Sequence, residues 1–298
     1  MDKMDFRELS RKVVDLYVEG SYEQALALVD EGRKKFPDED SALTWFEACL
    51  LGVSGEPQRA LEVLQAGLDR SLGWHPQMLT DPDLDSVRTL DGWESFETRS
   101  AARVEKWAAK RPPPFVRVIP NPAGTVVALH GAGSDPGDFF EAWDSATPEH
   151  WNLVIPVGEV PRSTDGWAWS YDLSTDLAHE IGEVELVEPI VLAGFSQGAR
   201  LAAKSAWDGN VDATGLVLTA AVLTPKLWEE SGQRQIPTYV LTGTEDGGYE
   251  GCVATTEMLR DHGVPVSLEV REGLGHEPVD DLDQVMTTAL AWILSSSE

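Results

Sequence analysis

The residues of this chain best able to do chemistry are a serine, an acid and a histidine, each placed just after a short apolar run. Gly194-Phe195-Ser196-Gln197-Gly198 follows Ile190–Ala193 and opens a helix-forming stretch. Gly-x-Ser-x-Gly between a strand and a helix is the pattern of a nucleophile elbow. The turn is so sharp that side chains flanking the serine would strike a neighbouring strand or helix. The helix N-terminus also favours negative charge on the reacting group. Alone, such a pentad is equally the pattern of a plain glycine-rich turn. Three further segments give it context. His130-Gly131-Ala132-Gly133 follows Thr125–Leu129, where the backbone N–H of Ala132 would pair with that of Gln197 as an oxyanion hole. Leu241-Thr242-Gly243-Thr244-Glu245-Asp246 puts a carboxylate beyond another strand, and an acid at either Glu245 or Asp246 would orient a histidine. Gly273-Leu274-Gly275-His276 follows the last strand. The order Ser196, Asp246, His276 is nucleophile, acid, base. A serine beside a histidine that an acid orients is the constellation of an activated nucleophile, which requires no metal and no cofactor. His130 precedes the oxyanion donor and reads as a loop histidine holding backbone.

These segments need a scaffold that presents them together. Strands are expected at Phe115–Ile119, Thr125–Leu129, Leu153–Val157, Ile190–Ala193, Gly215–Thr219, Thr238–Leu241 and Ser267–Val270. Several are continuous apolar runs, as in parallel strands covered on both faces. Helices are expected near Thr175–Val187, Gly198–Trp207, Val253–His262 and Asp281–Leu294. The alternation predicts an α/β architecture, with helices on both faces of one mostly parallel sheet. All four chemical signals then fall at the carboxyl ends of strands.

Arg111-Pro112-Pro113-Pro114 forces an extended path, and the hydrophobic period changes across it. The chain therefore divides into an all-α domain at 1–111 and an α/β domain at 112–298. In the first, Gly20-Ser21-Tyr22-Glu23-Gln24-Ala25-Leu26 is echoed by Gly55-Glu56-Pro57-Gln58-Arg59-Ala60-Leu61, 35 residues on. Gly32 and Gly67 keep the same spacing. A glycine ends one helix in left-handed geometry, and a small alanine lets two helices approach. On these residues, about 5–72 resemble tetratricopeptide repeats, although Leu72 stands where the second unit would carry the proline that Phe36-Pro37 supplies to the first. Two units are fewer than a free-standing solenoid needs. They are expected either to shape the neighbouring half or to bind a protein partner. A loop and a capping helix ending near Lys110 complete this half.

Residues 115–298 resemble the carboxylesterase, acyl-protein thioesterase and lysophospholipase branch of the α/β-hydrolases. The resemblance rests on Leu129-His130-Gly131-Ala132-Gly133, Gly194-Phe195-Ser196-Gln197-Gly198-Ala199, Gly243-Thr244-Glu245-Asp246 and Gly275-His276. Gly247-Gly248-Tyr249-Glu250 departs from that branch's Val-Val-Pro, and the helical half is extra. The resemblance implies an α/β-hydrolase fold and hydrolysis of carboxylic esters, and the acid excess of residues 112–298 favours a small neutral ester. It assigns Ser196, His276 and Asp246 as catalytic residues and the Gln197 and Ala132 N–H groups as the oxyanion hole. Trp143, Trp167, Trp169 and Tyr171 lie in loops on that side, and are expected either to line a substrate pocket or to pack the two halves. The alternatives are an acyl-protein thioesterase or peptidase-like hydrolase docking a protein through residues 5–72, and a helical-repeat scaffold with a silent hydrolase half.

The charge narrows the partners. The 298 residues carry a net charge of −28, and residues 112–298 hold 8 Lys and Arg against 29 Asp and Glu. Such a surface repels nucleic acid and anionic membranes. No apolar run approaches the ~20 residues that span a bilayer. Residues 1–20 lack the apolar core of a signal peptide, and two cysteines, Cys49 and Cys252, exclude a disulfide scaffold, so a cytoplasmic protein is expected.

Overall fold

The computed structural model describes residues 6–162 and 166–296. Two compact units divide at Lys110 and Arg111. In the first, α1 (Phe6–Val18) and α2 (Tyr22–Lys35) form one helix pair, α3 (Asp40–Val53) and α4 (Pro57–Asp69) a second. Gly20 (φ +73°) and Gly55 (φ +83°) both adopt the left-handed conformation that ends the first helix of each pair. Gly32 lies where a Cβ would come within 2.9 Å of Leu9, and Gly67 within 2.6 Å of Trp74. The repeat therefore marks tight helix crossings as well as turns. Two 3₁₀ turns, α5 (Asp85–Arg88) and α6 (Trp93–Ala108) close this unit, burying Trp74, Trp93 and Phe96 on α4.

The second unit opens with β1 (Phe115–Arg117), β2 (Thr125–Leu129), α7 (Pro136–Ala146) and β3 (Asn152–Ile155). A two-stranded ribbon follows, β4 (Val160–Pro161) and β5 (Trp167–Ala168), then α8 (Leu177–Ile181). The chain continues as β6 (Ile190–Phe195), α9 (Gln197–Asp208), β7 (Gly215–Thr219) and α10 (Pro225–Glu229). It ends with β8 (Thr238–Gly243), α11 (Tyr249–Asp261), β9 (Val266–Arg271) and α12 (Leu282–Ser296). The main sheet runs β1-β3-β2-β6-β7-β8-β9, parallel throughout except for the β1 edge.

Strand parity explains the continuous apolar runs. Leu192, Leu216, Leu218 and Val240 point to one face, against the alanine-rich α9. Val191, Ala193, Val217 and Leu241 point to the other, against α7 and α12. Both faces are covered over β2, β3, β6, β7 and β8, so those strands have no polar side to display, whereas the edge strands β1 and β9 are only partly buried. The expected helix over Thr175–Val187 shrinks to α8, because Gly182 takes φ +70°. The ribbon β4–β5 and helices α7 and α10 were absent from the sequence reading, being short or lacking a clean period.

Candidate active site

Ser196 sits between β6 and α9 with φ +55° and ψ −119°, a strained conformation for a residue with a side chain. Its backbone N–H donates to Thr219 O at 3.0 Å, which anchors the turn on β7. The flanking glycines are steric necessities. A Cβ at Gly198 would lie 2.2 Å from Leu129 O and 2.5 Å from His130 O; one at Gly194 would lie 2.7 Å from the Ala199 nitrogen. The turn thus presses against β2 and exposes Oγ at the sheet's carboxyl edge.

Ser196 Oγ lies 2.8 Å from His276 Nε2, and His276 Nδ1 lies 3.0 Å from Asp246 Oδ2 and 3.1 Å from Oδ1. The Asp246 side chain is 1% exposed, whereas the His276 ring is 41% exposed and open to a substrate. Burial pushes the Asp246 carboxyl up. Hydrogen bonds from His276 and from the Gly248 N–H (2.7 Å) outweigh that and leave it below the ordinary carboxylate range. Ionised Asp246 only accepts, so Nδ1 carries the proton and Nε2 is free to accept from Ser196. Glu245, the rival acid, has an exposed side chain, and its N–H donates to Leu274 O at 3.0 Å. That bond ties the acid loop to the histidine loop. A Cβ at Gly243 would lie 1.9 Å from the same carbonyl, so glycine is what lets the two loops meet.

Gln197 is the first residue of α9, where a backbone N–H has no intrahelical acceptor. Ala132 is exposed in the turn after β2. The loop holding Ala132 is braced from several sides. Gly133 N–H donates to Trp167 O (2.7 Å), and Trp167 N–H to Ser134 O (2.9 Å). Trp169 N–H donates to Gln197 Oε1 (3.0 Å), and Gln197 Nε2 returns a bond to Trp169 O (2.9 Å). The Trp169 indole donates to His130 O at 2.8 Å and stacks on the His130 ring at 4.9 Å.

The four aromatic pocket candidates therefore part company. Trp143 lines a cavity of about 470 Å³ beside Phe195. Trp167 and Trp169 are buried and outside its lining; they clamp the loop after β2, because a buried indole and its backbone need fixed hydrogen-bond partners. Tyr171 is a surface residue paired with Arg162. Phe195, Thr219 and the Gln197 side chain were missed. Phe195, the variable residue before the serine, was the one whose position in the pentad offered a signal.

His130 is fully buried, accepts from Gly158 N–H at Nε2 (2.9 Å) and donates from Nδ1 to Gly131 O (2.9 Å). Burial pulls its pKa down to about 4, Arg111 adding to the fall while Gly131 O and Asp135 oppose it. The unfolded chain takes up this proton near pH 6.5 and the folded one near 4, so folding loses stability as pH falls through that window. Between pH 7 and pH 4.5 the loss from this group is on the order of 2 kcal/mol. Denaturant titrations of wild type and His130→Asn at both pH values are expected to show the acid-induced drop smaller by that amount in the variant.

One trio with metal-ligand atom types, Cys49, Asp81 and Asp83, has its ligand atoms within 4.8 Å of one another in the first unit. Burial, with Asp81 and Asp83 nearby, pushes the Cys49 thiol far up, and a thiol must be deprotonated to ligate. Asp83 already accepts from Tyr17, and Asp81 from the Asp83 N–H. The trio is poorly suited to a cation. Among the described residues no helix is long and apolar enough to cross a membrane.

No family model and no curated protein matches the chain. Among solved structures, an uncharacterised protein from Bacillus cereus ATCC 10987 aligns over 98% of this chain and 100% of its own, with 20% identity and a TM-score of 0.51. Acyl-protein thioesterase 2 of Zea mays covers 61% of this chain and 100% of its own at 18% identity and TM-score 0.49. Esterase PE8 covers 60% and 97% at 22% identity and TM-score 0.48. The strand order, the parallel sheet and the elbow after β6 give residues 111–298 the α/β-hydrolase fold, preceded by an all-α unit.

Proposed function

We propose that this protein is a serine hydrolase that cleaves carboxylic esters through an acyl-enzyme, with small uncharged esters preferred. The observation that carries the reading is the unbroken line from Ser196 Oγ through the His276 imidazole to buried Asp246, at 2.8 and 3.0 Å, standing on a strained turn. Ser196 Oγ attacks the carbonyl carbon while His276 Nε2 takes its proton. The negative charge developing on the carbonyl oxygen is met by the Gln197 and Ala132 N–H groups and by the positive end of α9. His276 then gives its proton to the departing alkoxide oxygen, and the same steps with water release the acid. The net charge of −28 argues for uncharged over anionic substrates. The helical unit, read as two tetratricopeptide-like pairs, serves as an accessory domain to this chemistry.

The reading is tested by treating the folded protein with a fluorophosphonate probe and locating the adduct, alongside hydrolysis of p-nitrophenyl acetate. The expected adduct is on Ser196, with loss of ester hydrolysis in proportion to labelling. A protein that hydrolyses the ester while labelled stoichiometrically at Ser196, or that is labelled elsewhere as it loses activity, overturns it.

A further inference from the structure

The cavity of about 470 Å³ lies between α7, the start of α12 and the carboxyl ends of β6 and β7. Its size falls within the roughly 300–1,000 Å³ of small-molecule sites. Phe139, Ala142 and Trp143 of α7 line it, together with Val279 and Leu282 from the segment that leads into α12. Phe195 forms the wall toward the catalytic groups, its ring centroid 5.5 Å from that of His276. Thr219, whose carbonyl holds the Ser196 N–H, also lines it. Pro278 and Val279 belong to the loop that carries His276. Ser134, just past the Ala132 loop, also lines it, but Pro278, Val279, Asp280, Leu282 and Asp283 all follow His276 in the chain, so the cavity meets the reacting centre chiefly beside the imidazole.

Position decides which arm of a substrate fits there. In acyl transfer the carbonyl oxygen turns toward the Gln197 and Ala132 N–H groups. The leaving oxygen must stay within reach of His276 Nε2, which protonates it. Whatever hangs from that oxygen extends on the imidazole side. We infer that this cavity is the leaving-group subsite, and that it selects esters of apolar, uncharged alcohols of intermediate size. The inference rests on the proposed catalytic reading. The lining is mainly aromatic and aliphatic, with Ser134, Ser145 and Thr219 among it, while the exposed Asp280 and Asp283 disfavour an alcohol bearing a carboxylate.

The test varies the two arms separately in wild type and Ala142→Trp. Ala142 is an exposed residue of α7 that lines the cavity without touching the catalytic groups, so a larger side chain fills space rather than disturbing a core. One series is methyl, butyl and hexyl acetate; the other is methyl acetate, butanoate and hexanoate. Losing a well-filled apolar subsite costs about tenfold or more in kcat/KM. Hexyl acetate is expected to fall about tenfold in Ala142→Trp, with methyl acetate and methyl hexanoate within twofold of wild type. Methyl acetate turnover reports the fold and the catalytic groups. An equal or larger penalty on methyl hexanoate, or none on hexyl acetate, overturns the assignment. Should Ala142→Trp lose methyl acetate hydrolysis as well, Val279→Ala decides: it enlarges the cavity and is expected to shift the optimum to bulkier alcohols alone. An unchanged optimum, or a shift along the acyl series, refutes the subsite. Labelling of Ser196 by the phosphonate in that case leaves the catalytic reading standing, so the two failures are distinguishable.

Discussion

Ser196→Ala is expected to lower kcat for p-nitrophenyl acetate by a factor on the order of 10⁶, with KM within a few-fold of wild type. His276→Ala is expected to match it. The double variant should lose no more than either single change, because the two side chains perform one event. Without Oγ there is no atom to carry the acyl group; without Nε2, 2.8 Å away, there is nothing to take the hydroxyl proton as the bond forms. On the proposed reading, the residual rate is expected from the Gln197 and Ala132 N–H groups, still placed to polarise a bound carbonyl for attack by water. Purified variants must be assayed against contaminating esterase with the phosphonate probe, which labels neither. A double variant much slower than both singles would mean that serine and histidine act independently, against their 2.8 Å contact.

The elbow was legible in the sequence because its constraints are covalent and local. Gly194 and Gly198 stand where backbone atoms of Ala199, Leu129 and His130 leave no room for a Cβ, and a residue pattern records such a need directly. The alternation of apolar runs likewise records which faces are covered. The choice between Glu245 and Asp246 could not be read this way, since both follow the same strand. It is made by Leu274, 29 positions after Glu245, whose carbonyl takes the Glu245 N–H and leaves Asp246 facing His276. Trp167 and Trp169 were ambiguous for a related reason. An indole suits a pocket wall or a buried brace equally well, and only the partners at His130, Gln197 and Ser134 decide for the brace. The cavity beside Phe195 is assembled from α7, β6, β7 and the His276 loop, so no single stretch of chain announces it.

Asp246→Asn is expected to lower kcat by about 10⁴-fold while leaving KM and the fold nearly unchanged. The carboxylate accepts the Nδ1 proton at 3.0 Å and so holds the imidazole as the tautomer whose Nε2 can accept from Ser196. Asparagine is nearly the same shape, but its amide can turn its NH₂ toward the ring. Nδ1 then becomes the acceptor, the proton moves to Nε2, and the nucleophile faces a donor where it needs a base. The pH dependence follows from the same contacts. His276 and the Gly248 N–H hold the wild-type carboxyl below its ordinary range. Its ionised form stabilises the fold above the unfolded carboxylate pKa, and that contribution is lost as pH falls through the lower folded value. The asparagine variant has no such carboxylate, so its stability should fall less over that acidic interval. Glu245→Gln serves as the control: the side chain is exposed, and the backbone N–H that joins the loops is kept in the variant, so kcat should stay within twofold. If Glu245→Gln instead suffered the large loss and Asp246→Asn did not, the acid would be Glu245. The buried Asp246 would then be only a turn-former, held by the Gly248 N–H at 2.7 Å.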